Sequence, residues 1–502
     1  MKYFILSAGI ALSASLFSAT GYTADEQMAA KHMKVAAPAI FITEHSGTFN
    51  GTKVRYSATA GETYLKNDRG EETAAIFSTS YIRTDIKDNA ERPVFFIFNG
   101  GPGSSSVWLH MGVYGPKRVA IPSDAKDDGA APYRLVDNPL SILDVADMVF
   151  IDPVGTGYSR AIGKGDGKDF WGVEKDAKSI AEFIRLWLVK NNRWNSPKYL
   201  SGESYGTTRA AALLNELQGG WSDIAINGVV MISSILDFQT ARYQPGNDTP
   251  YISYLPTMAA AGWYHGKVEK NGRTLEAFLD EVRSFTLGDY ASALLQGNRL
   301  SKADFEKIAE RLSGYTGASK QYFMNANLRV SNMRFMKELL RDEGYSIGRL
   351  DARYKGVDYD GIGERFDNDP SAYGIDAAYT GALNHYLIND LNVSLERKYE
   401  ILSGVPGRHW TASGNGRYSG SYVNVAPHVG RALRENKHLK VMVANGYYDF
   451  ATPFFASENT FNANGIDTNR VDFTYYPAGH MMYVHEPSLD QLIKDIRSFI
   501  AK

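Results

Sequence analysis

Three residues far apart in a chain of 502 carry the groups that nucleophilic acyl transfer needs. Ser204 lies in Gly202-Glu203-Ser204-Tyr205-Gly206, Asp449 in Gly446-Tyr447-Tyr448-Asp449, and His480 in Gly479-His480-Met481. A serine hydroxyl attacks a carbonyl poorly unless a neutral imidazole takes its proton. A carboxylate must in turn fix the imidazole tautomer and stabilise the imidazolium. Ser204 is therefore read as the nucleophile, His480 as general base and then acid, and Asp449 as the orienting group. Of the ten histidines, His485 is the obvious rival base, but it lacks the strand-to-glycine approach and is followed by Glu486-Pro487. His110 and His409 are read as pocket or structural residues.

Such groups converge only if strand ends gather in one place. The apolar pair Tyr199-Leu200 runs into Gly-x-Ser-x-Gly, and an Ala/Leu-rich helical stretch follows as far as Gly219-Gly220. Strand, sharp turn and helix form the context that pushes a serine hydroxyl outward, with the unpaired N–H groups of the helix aimed back at the turn. Arg92–Phe98 is a continuous apolar run fit for a strand buried on both faces. It leads into Asn99-Gly100-Gly101-Pro102-Gly103-Ser104-Ser105-Ser106, whose clustered N–H groups suit an anion or oxyanion. The Gly-Lys-Ser/Thr ending of a phosphate loop is missing, so that reading is rejected.

Val145–Ile151, Ile226–Ser233, the run from Leu439 and Asp472–Tyr476 add strands, the last two leading to Asp449 and His480. Glu174–Asn191 presents Ile180, Phe183, Ile184, Trp187 and Leu188 on one helical face, and Leu489–Ile500 closes the chain as a helix. The alternation predicts an α/β chain with a mostly parallel central sheet flanked by helices, its strand ends meeting at one edge.

Gly47–Thr59 and Thr73–Thr84, separated by Gly61 and Asn67–Gly70, predict an antiparallel meander. Helical periodicity at Leu275–Ser284, Lys302–Ser313 and Asn332–Asp342 predicts a large, mainly helical insertion over the functional edge. The expected division is a core of 40–238 and 439–502 with a cap of 239–438. Asp358, Asp360, Glu364, Asp367 and Asp369 lack calcium-loop spacing and read as a solvated acidic loop.

Residues 1–24 start with Lys2, run apolar from Tyr3 to Phe17 and end near Ala19-Thr20-Gly21, which reads as a secretory signal peptide. No membrane span is expected in the mature protein. There is no cysteine, so no disulfide or thiolate chemistry, and a structural zinc site is disfavoured. The expected location is periplasmic or secreted. A net charge of −2 gives no reason to expect nucleic acid. No metal or cofactor is called for, and oligomeric state is left open.

Ser, Asp and His in that chain order are the arrangement of α/β-hydrolase enzymes. Asn99–Ser106, Gly155-Thr156-Gly157-Tyr158-Ser159, Gly202–Gly206, Gly446–Asp449 and Gly479–Met481 together resemble the serine carboxypeptidase family, over about 93–237 and 439–487. The resemblance implies an α/β-hydrolase fold and release of residues from peptide C-termini through an acyl-enzyme on Ser204. It places the oxyanion hole at the N–H groups of Gly101 and Tyr205. It has Asn99, the Gly100 N–H and Glu203 hold the terminal carboxylate, and Met481 line the pocket for the departing residue.

Three positions depart from the family pattern. Val113 stands where a second glutamate usually shares a proton with the residue matching Glu203, Ser104 stands for a usual cysteine, and Asp152-Pro153 lacks an often inserted residue. Only the first touches function, and it predicts an optimum nearer neutral than is usual for the family. An esterase or acyltransferase using the same three residues is the alternative, and a non-catalytic binding protein on the same scaffold is a third reading.

Overall fold

The run Val-Phe-Phe-Ile-Phe at 94–98 offers no polar face, and all five residues are buried in the middle of a ten-stranded sheet. The computed structural model describes residues 35–502 except 89, 127–128, 219–222 and 412–421, so the expected signal peptide lies outside the described residues. The chain divides into residues 1–37, of which 35–37 have no regular structure, and Pro38–Lys502. The second unit contains the whole of the sheet.

Its main strands are β1 (Ile40–Phe49), β2 (Thr52–Lys66), β3 (Glu72–Arg83), β4 (Val94–Phe98), β5 (Asp147–Ile151), β6 (Lys198–Glu203), β7 (Gly228–Ile232), β8 (Lys440–Gly446) and β9 (Val471–Tyr476). They are ordered β1-β2-β3-β5-β4-β6-β7-β8-β9, and the short strand Arg160–Ala161 pairs with β3. β1 to β3 form the antiparallel meander, and β3 meets β5 antiparallel. From β5 to β9 every neighbouring pair is parallel.

The turn at Asn67–Gly70 is where the sequence places it, but Gly61 is no break: β2 runs straight through it. A Cβ there would lie 2.8 Å from the Ala39 carbonyl oxygen, so this glycine permits close approach of the neighbouring strand. The hairpin between β1 and β2 turns at Asn50-Gly51, inside the stretch the alternation treats as one strand.

Five helices matter most: α1 (Val173–Lys190), α2 (Tyr205–Leu217), α3 (Thr249–Tyr264), α4 (Ile375–Asn389) and α5 (Glu486–Ala501). α1 and α2 bury their apolar faces against the Val94, Phe96 and Phe98 side of the sheet. α5 covers the Phe95 and Ile97 side, as does α4, through Tyr379, Leu383 and Tyr386. Each fully buried side chain of this size contributes roughly 1.5–3 kcal/mol.

The stretch expected as one helical insertion therefore packs in two ways. α3 and the helices 275–285, 302–316 and 332–338 enclose a core of their own with Tyr447, Phe450 and Phe454, whereas α4 joins the core under the sheet. The sequence reading missed α3 and α4. α3 carries Pro256 in its interior, and α4 is apolar around most of its circumference, so neither shows a clean helical stripe. Among the described residues no helix is long and apolar enough to cross a membrane.

Candidate active site

Ser204 sits between β6 and α2 with φ 59° and ψ −129°, a sparsely populated conformation for a residue with a side chain. Packing leaves it no choice. A Cβ on Gly202 would lie 2.3 Å from the Gly206 carbonyl oxygen, and one on Gly100 would lie 2.4 Å from the Tyr205 nitrogen. Only bare backbone lets β4, β6 and α2 approach so closely. Beneath the turn, buried Arg209 joins Asp176 of α1 (Nε to Oδ2, 2.6 Å) and donates to the Asn99 carbonyl (2.5 Å). Asp152 fixes the glycine-rich turn by accepting from the Ser106 N–H and hydroxyl, both at 2.9 Å.

Asp449 follows β8 and is fully buried. Its Oδ1 accepts from the N–H groups of Ala451 (2.7 Å) and Thr452 (2.9 Å), and its Oδ2 meets the Thr452 hydroxyl (2.8 Å) and His480 Nδ1 (2.8 Å). This leaves Nε2 as the His480 nitrogen not taken by the carboxylate. Burial pulls the His480 pKa down, but the Asp449 charge and hydrogen bond, with a further contribution from Glu203, hold it above its ordinary value. The His480 N–H donates to the Leu350 carbonyl at 2.5 Å, so a segment far away in sequence anchors the ring's backbone.

Ser204 and His480 line one cavity of about 820 Å³, together with Asn99, Gly100, Gly101, Glu203, Tyr205 and Met481. Asp449 stands behind His480, away from the cavity. Gly101 has φ +100°, and Tyr205 opens α2, where the first N–H groups of a helix have no partner within it. An alcohol, an imidazole backed by a carboxylate, and backbone donors at one cavity are the parts from which acyl transfer is built.

Glu203 is buried, and both hydrogen bonds to its carboxyl converge on Oε2, from Asn99 Nδ2 (2.8 Å) and the Tyr483 hydroxyl (2.8 Å). Burial raises its pKa to about 7, even against the lowering influence of His480 and the two hydrogen bonds. Val113 is buried in the core and does not line the cavity. Tyr483, which donates to Glu203, packs its ring against Gly112: a Cβ there would sit 2.6 Å from it.

The pattern of the serine carboxypeptidase family, peptidase S10, matches residues 63–481. The chain belongs to the serine carboxypeptidase family. Serine carboxypeptidase-like 13 of Arabidopsis thaliana is 29% identical over 175 residues, 34% of this chain and 39% of that protein. Serine carboxypeptidase-like 7 from the same plant is 32% identical over 153 residues, 30% of this chain and 33% of that protein. The chain thus spans two fifths or less of the length of these curated relatives. The prohormone-processing carboxypeptidase Kex1(Δ)p of Saccharomyces cerevisiae superposes with a TM-score of 0.53 at 18% identity, over 88% of this chain and 91% of that one. That likeness shows the α/β-hydrolase fold.

Other expectations for this carboxypeptidase-family chain meet the structure unevenly. His485 turns away, its Nδ1 bound to the Ser488 hydroxyl at 2.7 Å. His110 is a core residue, bonded to the Tyr81 hydroxyl at 2.7 Å and pushed down to about 3 by burial. His409 stacks on Trp171 with ring centres 5.8 Å apart. The acidic stretch is not simply a solvated loop: Asp358 pairs with buried Lys337, and Asp369 accepts the N–H groups of Arg349 (2.9 Å) and Leu350 (3.1 Å). Sequence reasoning missed Tyr483, Thr452 and the Asp176–Arg209 pair. Only Arg209, a cation just before the Ala/Leu run of the elbow helix, carried a visible signal.

Proposed function

We propose that the protein is a serine carboxypeptidase whose nucleophile is Ser204. The observation that carries the reading is the single cavity in which Ser204, an Asp449-backed His480 and a protonatable Glu203 meet. His480 Nε2 takes the Ser204 proton as the hydroxyl oxygen attacks the last peptide carbonyl. The oxyanion forms opposite the N–H groups of Gly101 and Tyr205. The imidazolium then protonates the departing amine, and water, deprotonated by the same ring, frees the acyl group. Each backbone donor to the oxyanion is worth ~3 kcal/mol in the transition state.

Asn99, the Gly100 N–H and Glu203 hold the substrate's terminal carboxylate, with Met481 against the departing side chain. Glu203 serves this role only when it carries a proton, because an ionised carboxyl would repel the ligand. Its pKa of about 7 keeps that proton available close to neutrality. His480 must be neutral to act as base, and its raised pKa places that requirement above its ordinary value of 6.5. The optimum therefore falls near neutral pH, and a pH–rate profile on an N-blocked dipeptide that peaks below about pH 5 would count against it.

The elements between 239 and 438 act as a cap that shapes the substrate cavity. The polar-then-apolar start of the chain supports export, to the periplasm or beyond. Mass spectrometry of peptides incubated with wild type and with Ser204→Ala tests the activity directly. Stepwise loss of C-terminal residues with wild type alone is the expected result. Turnover of aryl esters with no amino acid ever released from a peptide would transfer the reading to an esterase or acyltransferase.

A further inference from the structure

Two arginines, Arg242 and Arg349, line the same cavity as Ser204 and His480. Among the described residues, no carboxylate forms an ion pair or side-chain hydrogen bond with either. Other arginines of this part of the chain are matched: Arg329 with Asp248, Arg353 with Asp351, Arg334 with Glu364. Arg242 is exposed and Arg349 half-buried, so water stabilises both without a counter-charge, and their donors stay available to an anion that enters the cavity.

Arg349 does not reach the cavity by chance of a long side chain. The Phe450 N–H donates to the Arg349 carbonyl (3.0 Å), and the His480 N–H donates to the next carbonyl, that of Leu350 (2.5 Å). The main chain at 349–350 is thus stitched to the residue after Asp449 and to His480 itself. Two further carboxylates line the cavity. Asp369 is committed to the Arg349 and Leu350 N–H groups and to Ser371. Asp376 is exposed at the start of α4.

Arg242 lies over the Phe238 ring, 6.0 Å from its centre, and Phe238 packs on Tyr205, the residue after the nucleophile, at 6.5 Å. Tyr254 and Asn332 complete this wall, and the positive charges of both arginines act on the Tyr254 hydroxyl. Glu203 faces a different set of neighbours, Asn99 and Tyr483. Arg242 is thus linked through Phe238 to Tyr205, and neither cation bonds to Glu203.

We propose that Arg349 and Arg242 recognise an acidic side chain on the residue whose carbonyl Ser204 attacks, so that peptides with Glu or Asp next to last are preferred. The guanidinium fork suits a carboxylate by paired hydrogen bonds. This inference rests on Ser204 acting as the nucleophile of a carboxypeptidase.

The test compares kcat/KM at pH 7 for N-blocked Glu-Ala, Ala-Ala and Ala-Glu, using wild type, Arg349→Gln and Arg242→Gln. Wild type should favour Glu-Ala over Ala-Ala by about tenfold or more, the scale of one charge-assisted hydrogen bond. Both variants should bring that ratio towards one, and raised salt should shrink it in wild type. Cleavage of Ala-Ala with no preference for Glu-Ala overturns the inference and leaves the carboxypeptidase reading intact. So does a preference confined to Ala-Glu, or a ratio that neither variant changes. Failure to cleave any of the three overturns both.

Discussion

The two walls of the cavity are built on different terms. The wall from the sheet edge is fixed by backbone: Gly100, Gly202 and Gly206 have no room for a Cβ, and both polar side-chain atoms of Asn99 are used, Oδ1 by the Leu109 N–H (3.1 Å) and Nδ2 by Glu203 (2.8 Å). The wall from residues 239–438 ends in long side chains: Arg242 and Arg349, and a Tyr254 hydroxyl that reaches the Ala451 carbonyl only at 3.5 Å. Bond making requires atoms held in near-attack geometry, and displacement by 1 Å can cost about a hundredfold. Recognition of a side chain tolerates adjustable partners. Changes at Ser204, His480 or Asp449 should therefore appear in kcat, and changes to the second wall in the choice of substrate.

The largest break is Asp449→Asn. An amide in place of the carboxylate favours the wrong imidazole tautomer while leaving the shape of the site intact. kcat for an N-blocked dipeptide should fall about 10⁴-fold. Steady-state kinetics check this, with circular dichroism to verify the fold; a loss under tenfold would show that the carboxylate does not orient the base.

Asp176→Asn comes next. It leaves Arg209, 1% exposed at its side chain, as an unpaired buried cation beneath Asn99 and Tyr205. Unfolding in urea should show a loss of about 3–5 kcal/mol. If stability barely changes, the sheet-edge wall is less rigidly supported than its packing implies.

Much of the first wall was legible in the sequence because its constraints are local. Gly-x-Ser-x-Gly, Asn-Gly-Gly-Pro-Gly and a carboxylate just past an apolar run each declare a turn at a strand end, and convergence follows from a parallel sheet. The second wall was not legible. The main chain at Arg349 and Leu350 joins the site by accepting from the N–H groups of Phe450 and His480 respectively, about 100 and 130 positions away, and no periodicity encodes such pairings. Tyr483 was hidden for a related reason. Its partnership with Glu203 depends on the space beside Gly112, a three-way fit that no single motif contains. The meander shows the limit at short range: Gly61 punctuates the sequence as a turn would, but it serves close packing inside a continuous strand.

Glu203→Gln isolates the titrating group of the first wall that is proposed to hold the substrate's carboxylate. Its folded pKa is raised from 4.5 to about 7 by burial. Below about pH 4.5 the folded and unfolded chains both hold the proton, and the stabilising contribution is complete. As pH rises through 7 the buried group must ionise, and that contribution is lost. The glutamine variant does not titrate, so its stability relative to wild type should rise with pH and level off above neutrality, by up to about 3 kcal/mol. Thermal unfolding at pH 5 and pH 8 reads this out. In the same variant, KM for a free C-terminal carboxylate should lose its rise through neutral pH. An unchanged profile would mean that the carboxylate is held elsewhere.

The smallest expected effect lies within the stretch 239–438, in Glu364→Gln. Glu364 meets Arg334 at 2.9 Å, but the two side chains are 63% and 42% exposed, so water already supplies most of what the pair exchanges. Removing the charge should change stability by less than about 0.5 kcal/mol and leave the Glu-Ala to Ala-Ala ratio untouched. The nearby Asp358–Lys337 pair is buried, which makes the exposed pair an internal control for the same loop. If Glu364→Gln instead cost several kcal/mol by chemical denaturation, the stretch 239–438 would be held as tightly at its surface as the sheet edge is at its centre. The division between a fixed wall for chemistry and an adjustable wall for selection would then lose its physical basis.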